Sequence, residues 1–281
     1  MSLPSRPLAL GDRTLVMGVL NVTPDSFSDG GLYLRSDAAL RHALQLESAG
    51  VDILDVGGES TRPGSLPVEA EAEFERVVPL IRRLRRRLKI TLSIDTRKAV
   101  VAEAALRAGA EIVNDVSGLR NDPDLARIAR RYGAPLILMH MRRTPQTMQQ
   151  RPFARDVLAD VRTGLSAAVR RALRAGLRPS QLLIDPGLGF GKSSAQNYQL
   201  LAHLPRLARL GFPLVVGPSR KTFIGDALGG LPPADRAWGT AAAVTAAILR
   251  GAHIVRVHDP EMVQVARVAD QVVAAARPPG R

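Results

Sequence analysis

The chain has no cysteine in its 281 residues. That excludes disulfides, thiolate metal sites and a cysteine nucleophile, and it fits a cytoplasmic protein. Aromatics are scarce: six Phe, three Tyr and one Trp. None interleaves the run Arg82, Arg83, Arg85, Arg86, Arg87, so a stacking platform for nucleic acid is unsupported. No apolar run approaches the ~18 residues of a membrane span. Residues 1–11 lack the basic-then-apolar pattern of a signal segment. Neither nucleic acid nor membrane is therefore an expected partner. Lysine is also rare. Only Lys89, Lys98, Lys192 and Lys221 stand among 39 basic residues, against 26 acidic ones, for a formal charge of +13. That excess is compatible with an anionic small substrate, or with no more than a solvated arginine surface.

Apolar residues make up 46%, enough for a sizeable core. Short β-branched runs at 14–20, 52–56, 90–94, 111–113, 135–139, 182–184, 213–216 and 253–257 read as strands. Between them, 37–49, 69–88, 98–108, 122–132, 157–175, 196–210, 234–250 and 261–275 have helical periodicity. In 69–88, for example, Val77, Leu80, Ile81, Leu84 and Leu88 recur at helical steps, which turns the arginines of 82–87 outward. Strict alternation implies parallel strands with crossover helices. Eight such units in this length favour a single (β/α)8 TIM barrel over an open sheet. No linker or composition shift divides the chain, so one domain is expected over 1–281, with its core over about 14–276.

In such a barrel the chemistry sits at the C-terminal ends of the strands. The polar residues there are Asn21, Asp55, Asp95, Asn114, Asp115, His140, Asp185, Arg256 and His258. Asp95, Asn114 and Asp185, on three strand ends, offer acceptors and an amide donor. They suit a heterocycle with mixed donors and acceptors, or equally a buried polar network closing the barrel mouth. Lys221 follows Ser219-Arg220 in a chain that otherwise uses arginine for generic positive charge. Arg256 and His258 alternate, so they point the same way. Barrels often bind phosphate near strands 7 and 8, and Arg62 adds a planar fork. Lys192 closes a glycine-rich loop that it either serves or merely stabilises. That loop, 187–192, lacks the spacing of a nucleotide-binding P-loop.

In order and spacing, 17–31, 55–64, 93–96, 114–118, 185–192, 219–223 and 256–258 together resemble the dihydropteroate synthase family. The likeness runs from about Leu15 to Asp259. It implies an α/β barrel transferase of folate biosynthesis, joining 6-hydroxymethyl-7,8-dihydropterin diphosphate to p-aminobenzoate with release of diphosphate. It assigns Asp95, Asn114, Asp185, Phe190 and Lys221 to the pterin, and Thr61, Arg62, Arg256 and His258 to the pterin diphosphate. Phe27, Thr61, Pro63, Lys221 and Thr222 fall to p-aminobenzoate, and Asn21 to a Mg²⁺ ion on the diphosphate. Asp95, Lys221, Arg256 and His258 are the catalytic candidates. The resemblance also implies a homodimer and a sulfonamide target. Thr222, Arg143 and Pro260 depart from the family pattern, where Ser, Gly and an apolar residue are common. A pterin-binding methyltransferase barrel would share the pterin residues. It would not account for the loops 21–31 and 60–64 or for the Arg256/His258 pair.

Overall fold

The computed structural model describes residues 1–4, 7–23, 32–62, 64–148 and 155–276. The predicted residues Phe27 and Pro63 lie outside them. Eight parallel strands run in the order β6-β5-β4-β3-β2-β1-β8-β7. They are β1 Leu15–Asn21, β2 Ile53–Gly57, β3 Thr91–Asp95, β4 Ile112–Asp115, β5 Leu136–Met139, β6 Leu182–Asp185, β7 Val215–Val216 and β8 Ile254–Val257. Helices alternate with them: α1 Leu32–Ser48, α2 Ala70–Arg85, α3 Ala99–Ala108, α4 Asp124–Arg131, α5 Val157–Arg174, α6 Ser194–Ala202, α7 Leu204–Ala208, α8 Thr222–Ala227, α9 Ala237–Leu249 and α10 Met262–Ala275. The ring closes between β6 and β7 by a single parallel bridge, Ile184 to Leu214. The expected TIM barrel is therefore present. No described helix is long and apolar enough to cross a membrane.

The helical pattern over 196–210 does not form one helix. It breaks at His203 into α6 and α7, because Pro205 has no N–H to donate and fits only the first turn of a new helix. The short α8 was not expected, since six residues carry too little periodicity to read.

The strand alternation builds the site. Leu15, Met17, Ile53, Ile112, Ile137, Leu183, Val215 and Ile254 fill the lower barrel with Leu3 of the N-terminal segment packed among them. Two residues further along, the same inward face carries Asp55, Asn114, Met139, Asp185 and Arg256. Register sets Gly57 beside Asp95 and Asp95 beside Asn114. An apolar plug thus supports a polar floor. The second core, between sheet and helices, buries Val77, Ile81, Leu84 and Leu88 of the α2 region, while Arg82, Arg86 and Arg87 stay exposed.

Candidate functional site

Three carboxylates and one guanidinium share the floor. Arg256 donates from Nε to Asp55 Oδ2 at 2.7 Å and from Nη2 to Asp95 Oδ2 at 2.8 Å. Asn114 Nδ2 donates to the same Asp55 oxygen at 2.9 Å. Asp55 is fully buried and orients both neighbours, a role that its place among the polar strand ends does not reveal. The signal for it is its position two residues beyond Ile53, on the same inward face. Asp185 accepts from the Gly187 backbone N–H at 2.7 Å.

Burial dominates the ionisation of these groups. It lifts Asp95 to about 7, against the pull of Arg256 and with help from Asp55, Glu73 and Asp115. It also raises Asp185, opposed by the Gly187 N–H and by Lys221, Arg256 and Lys192. Burial works against charge on Arg256, but Asp55 and Asp95 outweigh it and hold the guanidinium above its ordinary value.

Lys221 caps the start of α8, with its Nζ 4.0 Å from the centre of the Phe190 ring, a cation–π contact. Burial, then Arg256, lowers it to about 8. The preceding Arg220 is held in the left-handed region (φ 57°) and pairs with Asp259. Such backbone strain is tolerated where the surroundings fix it, here by the Thr240 hydroxyl on its N–H and Arg236 on its carbonyl. The loop after β6 needs its glycines. A Cβ on Gly187 would sit 2.0 Å from the His140 carbonyl, and one on Gly189 2.9 Å from Lys221 Cδ, both at positive φ. Lys192 is the staple of that loop. It donates to the carbonyls of His140, Gly187 and Phe190 at 3.1, 2.9 and 3.0 Å. That geometry gives it the stabilising one of its two readings.

His258 follows β8, with Nδ1 3.0 Å from Ser219 Oγ. Burial, then Arg256, Arg220 and Lys221, push it down to about 3, so it is a neutral imidazole at pH 7. Asn21 ends β1. A Cβ on Gly57 would lie 3.4 Å from Asn21 Oδ1 and 3.5 Å from Asp95 Cβ, so a bare glycine keeps the space between them open. Thr61 is half-buried and Arg62 exposed on the loop after β2, and Thr222 is exposed at the start of α8. Among the described residues no ion pair engages Arg62.

Two rim residues turn away from the barrel axis, for the reason that adjacent strand residues face opposite sides. Asp115 accepts from the Ser117 and Leu119 N–H groups and shapes its own turn. His140 packs on α5, where a Cβ on Gly164 would strike its ring, and its Nε2 lies 3.6 Å from Asp160. Arg143 is exposed in the left-handed region (φ 62°), a conformation that glycine adopts more readily. Nothing in the structure explains Pro260.

A polar floor of alternating acceptors and donors, with one lysine at its edge and a loop rim above it, can bind a flat, hydrogen-bonding heterocycle end-on. Comparison with known proteins gives that arrangement a family. The model of the pterin-binding enzymes matches residues 17–258. A dihydropteroate synthase of Synechocystis is 50% identical over 261 residues, covering 92% of this chain and 90% of that protein. The dihydropteroate synthase of Yersinia pestis, solved with a sulfonamide drug complex, superposes with a TM-score of 0.91 at 42% identity, over 98% of this chain and 99% of that one. The Xanthomonas albilineans enzyme, solved in complex with 7,8-dihydropteroate, gives a TM-score of 0.86 at 44% identity, over 96% and 97% of the two chains. On fold, coverage and identity together, this chain belongs to the dihydropteroate synthase family of pterin-binding enzymes.

Proposed function

We propose that the barrel mouth condenses 6-hydroxymethyl-7,8-dihydropterin diphosphate with p-aminobenzoate to 7,8-dihydropteroate. The observation that carries this reading is one rim of the barrel that holds buried Asp95, Asn114 and Asp185 with half-buried Lys221 and Arg256. The pterin ring has an amino-pyrimidinone edge that both donates and accepts. Asp95, Asn114 and Asp185 supply the complementary groups, and Lys221 and Phe190 close on the ring from the side.

The bond from the pterin methylene to the diphosphate oxygen breaks, and the arylamine nitrogen forms the new bond to that carbon, then loses its proton. Diphosphate carries away the electron pair. No side-chain nucleophile is needed, in keeping with a chain that lacks cysteine. The Asp95 carboxylate stabilises positive charge developing on the pterin, as a preorganised anion in a buried site can do strongly. Arg256 bears fixed positive charge beside it. His258, neutral in the free protein, offers a hydrogen bond to the diphosphate, whose own charge would raise its pKa. Arg62, Thr61 and Asn21 are assigned to the same substrate, and Thr61, Lys221 and Thr222 to the arylamine, as are Phe27 and Pro63, which lie outside the described residues.

The neutral, hard oxygen of Asn21 fits a Mg²⁺ ion held mainly by substrate oxygens and water, which is how Mg²⁺ commonly binds. When bound, the ion supplies positive charge to the leaving diphosphate. Among the described residues no group of three metal-ligating side chains competes for that role. We further propose a homodimer through the outer C-terminal helices. There Trp238 and Leu249 of α9 and Val268 and Val272 of α10 are exposed. We also propose a cytoplasmic location.

The test is stoichiometric. With both substrates and Mg²⁺, diphosphate and 7,8-dihydropteroate should appear one for one, and a sulfonamide should compete with p-aminobenzoate. Asp185→Asn and Lys221→Ala should each cut turnover by about 10²-fold or more, the size of losing a charged contact at a reacting centre. Diphosphate release indifferent to the arylamine would refute the reading.

A further inference from the structure

A buried cluster of charged side chains lies beside the pocket and takes no part in the chemistry above. Glu59 opens the loop after β2, directly beyond Gly57-Gly58. Its carboxylate is buried, and both oxygens are engaged: Oε1 by the Arg97 guanidinium and Oε2 by the Lys98 ammonium. Lys98 donates as well to Glu73 of α2, a side chain with no exposure. Two anions thus face two cations, and no member is left as a bare buried charge.

The loop is held elsewhere too. Arg76 Nη1 donates to the Gly58 carbonyl at 2.9 Å. A Cβ on Gly58 would fall 2.7 Å from Val77, so the loop base lies flat on α2. Ser65 Oγ donates to the carbonyls of Ser60 and Arg62 at 2.6 and 2.8 Å. The Gly64 N–H donates to the Pro145 carbonyl at 3.1 Å. The segment fixed between these anchors carries Thr61 and Arg62. On the other side, Arg97 and Lys98 follow Asp95 across Thr96. One short stretch after β3 therefore bears both a pterin-level carboxylate and the cations that grip the loop after β2.

We infer that Glu59, gripped by Arg97 and Lys98, is a positioning residue that ties the loop after β2 to the end of β3 and so sets Thr61 against the pterin methylene for attack by the arylamine. The inference rests on the role proposed above for Thr61. Glu59 touches neither substrate and acts through the loop. Replacing it by Gln keeps its size and an acceptor oxygen but removes the charge, while the Lys98–Glu73 pair survives to hold the fold.

The experiment compares Glu59→Gln, Thr61→Ala and the double variant. In Glu59→Gln the KM for p-aminobenzoate should rise about tenfold, the scale of one weakened charged hydrogen bond. Affinity for 6-hydroxymethylpterin, read by fluorescence quenching, should stay within about twofold, because the pterin floor is untouched. The double variant should be no worse than the worse single one, since both changes act on one loop. An unchanged KM in Glu59→Gln, or a loss of pterin affinity and Tm in step with it, overturns the inference. If Thr61→Ala raises KM and Glu59→Gln does not, the anchor fails alone. If Thr61→Ala has no effect, the assignment of Thr61 fails and takes the anchor with it. Should Glu59→Gln not fold, Arg97→Gln reads the same contact with Lys98 still pairing both glutamates, and the same outcomes decide.

Discussion

Asp95 and Lys221 set the protonation of the pocket. Burial brings one up to about 7 and the other down to about 8, so carboxylate and ammonium coexist as majority forms only in the narrow interval between. If both charged forms are required, kcat/KM for the pterin diphosphate falls on each side of that interval. A profile across neutral pH should show two limbs, and Asp95→Asn should lose the acid limb while keeping the alkaline one. An acid limb that survives unaltered in Asp95→Asn would assign it elsewhere. Stability has its own sign. Below about 7 the native protein keeps a proton on Asp95 that the unfolded chain has already released. The contribution of this group to stability therefore falls as pH rises from the ordinary carboxylate range to about 7. Asp95→Asn should flatten that decline in urea titrations. Asp55 shares the Arg256 guanidinium with Asp95.

Elements differ in how openly the sequence announced them. The strands were legible because β-branched runs are bounded by polar strand ends, and each observed strand lies within two residues of its expected span. The division of α6 from α7 was visible only as Pro205, whose effect depends on where the preceding helix stops. The loop after β6 shows a further limit. Its glycines are plain in the sequence, but the partners that require them, the His140 carbonyl and Lys221, arrive from other units of the barrel. Lys192 could not be placed from sequence for the same reason, as its three acceptors include a residue of the loop after β5. Lys192→Met would strip the His140 and Phe190 carbonyls of their lysine donor, while Gly187 keeps the Phe190 N–H. It should cost about 2 kcal/mol, within the range for orphaned buried polar groups, seen as a lower midpoint in urea. Pterin affinity should fall with it, since Phe190 is one of the residues held.

For the whole molecule, closure matters more than any single ladder. β7 has only two residues, yet the bridge at Leu214, just before it, completes the ring and brings the β6 and β8 ends to the same mouth. That is how Asp185 and Arg256, far apart in the chain, come to share one electrostatic environment. The surplus of arginine is shed to the outside: Arg82, Arg86 and Arg87 are exposed, whereas the cations of the mouth are few. The only tryptophan, Trp238, is 88% exposed on α9. If the outer helices pair as proposed, its emission should shift to the blue as protein concentration rises through the dimerisation range. Trp238→Arg should sediment as a monomer. A wild-type chain that is monomeric at high concentration would refute the pairing.

The sequence by itself determined the alternation of strands and helices, the barrel class and the residue types at the strand ends, because period-two and helical patterns are local properties of the chain. The family resemblance was legible for the same reason, as motifs in order. What only the tertiary structure decided is which of those polar ends face one another. Each strand sends alternate residues to opposite sides, so Asp95, Asn114, Asp185 and Arg256 turn inward, while Asp115 and His140 turn out to brace a turn and a helix. The ionisation states followed from the same step: Asp95 rises, and Lys221 and His258 fall, because folding removes them from water together.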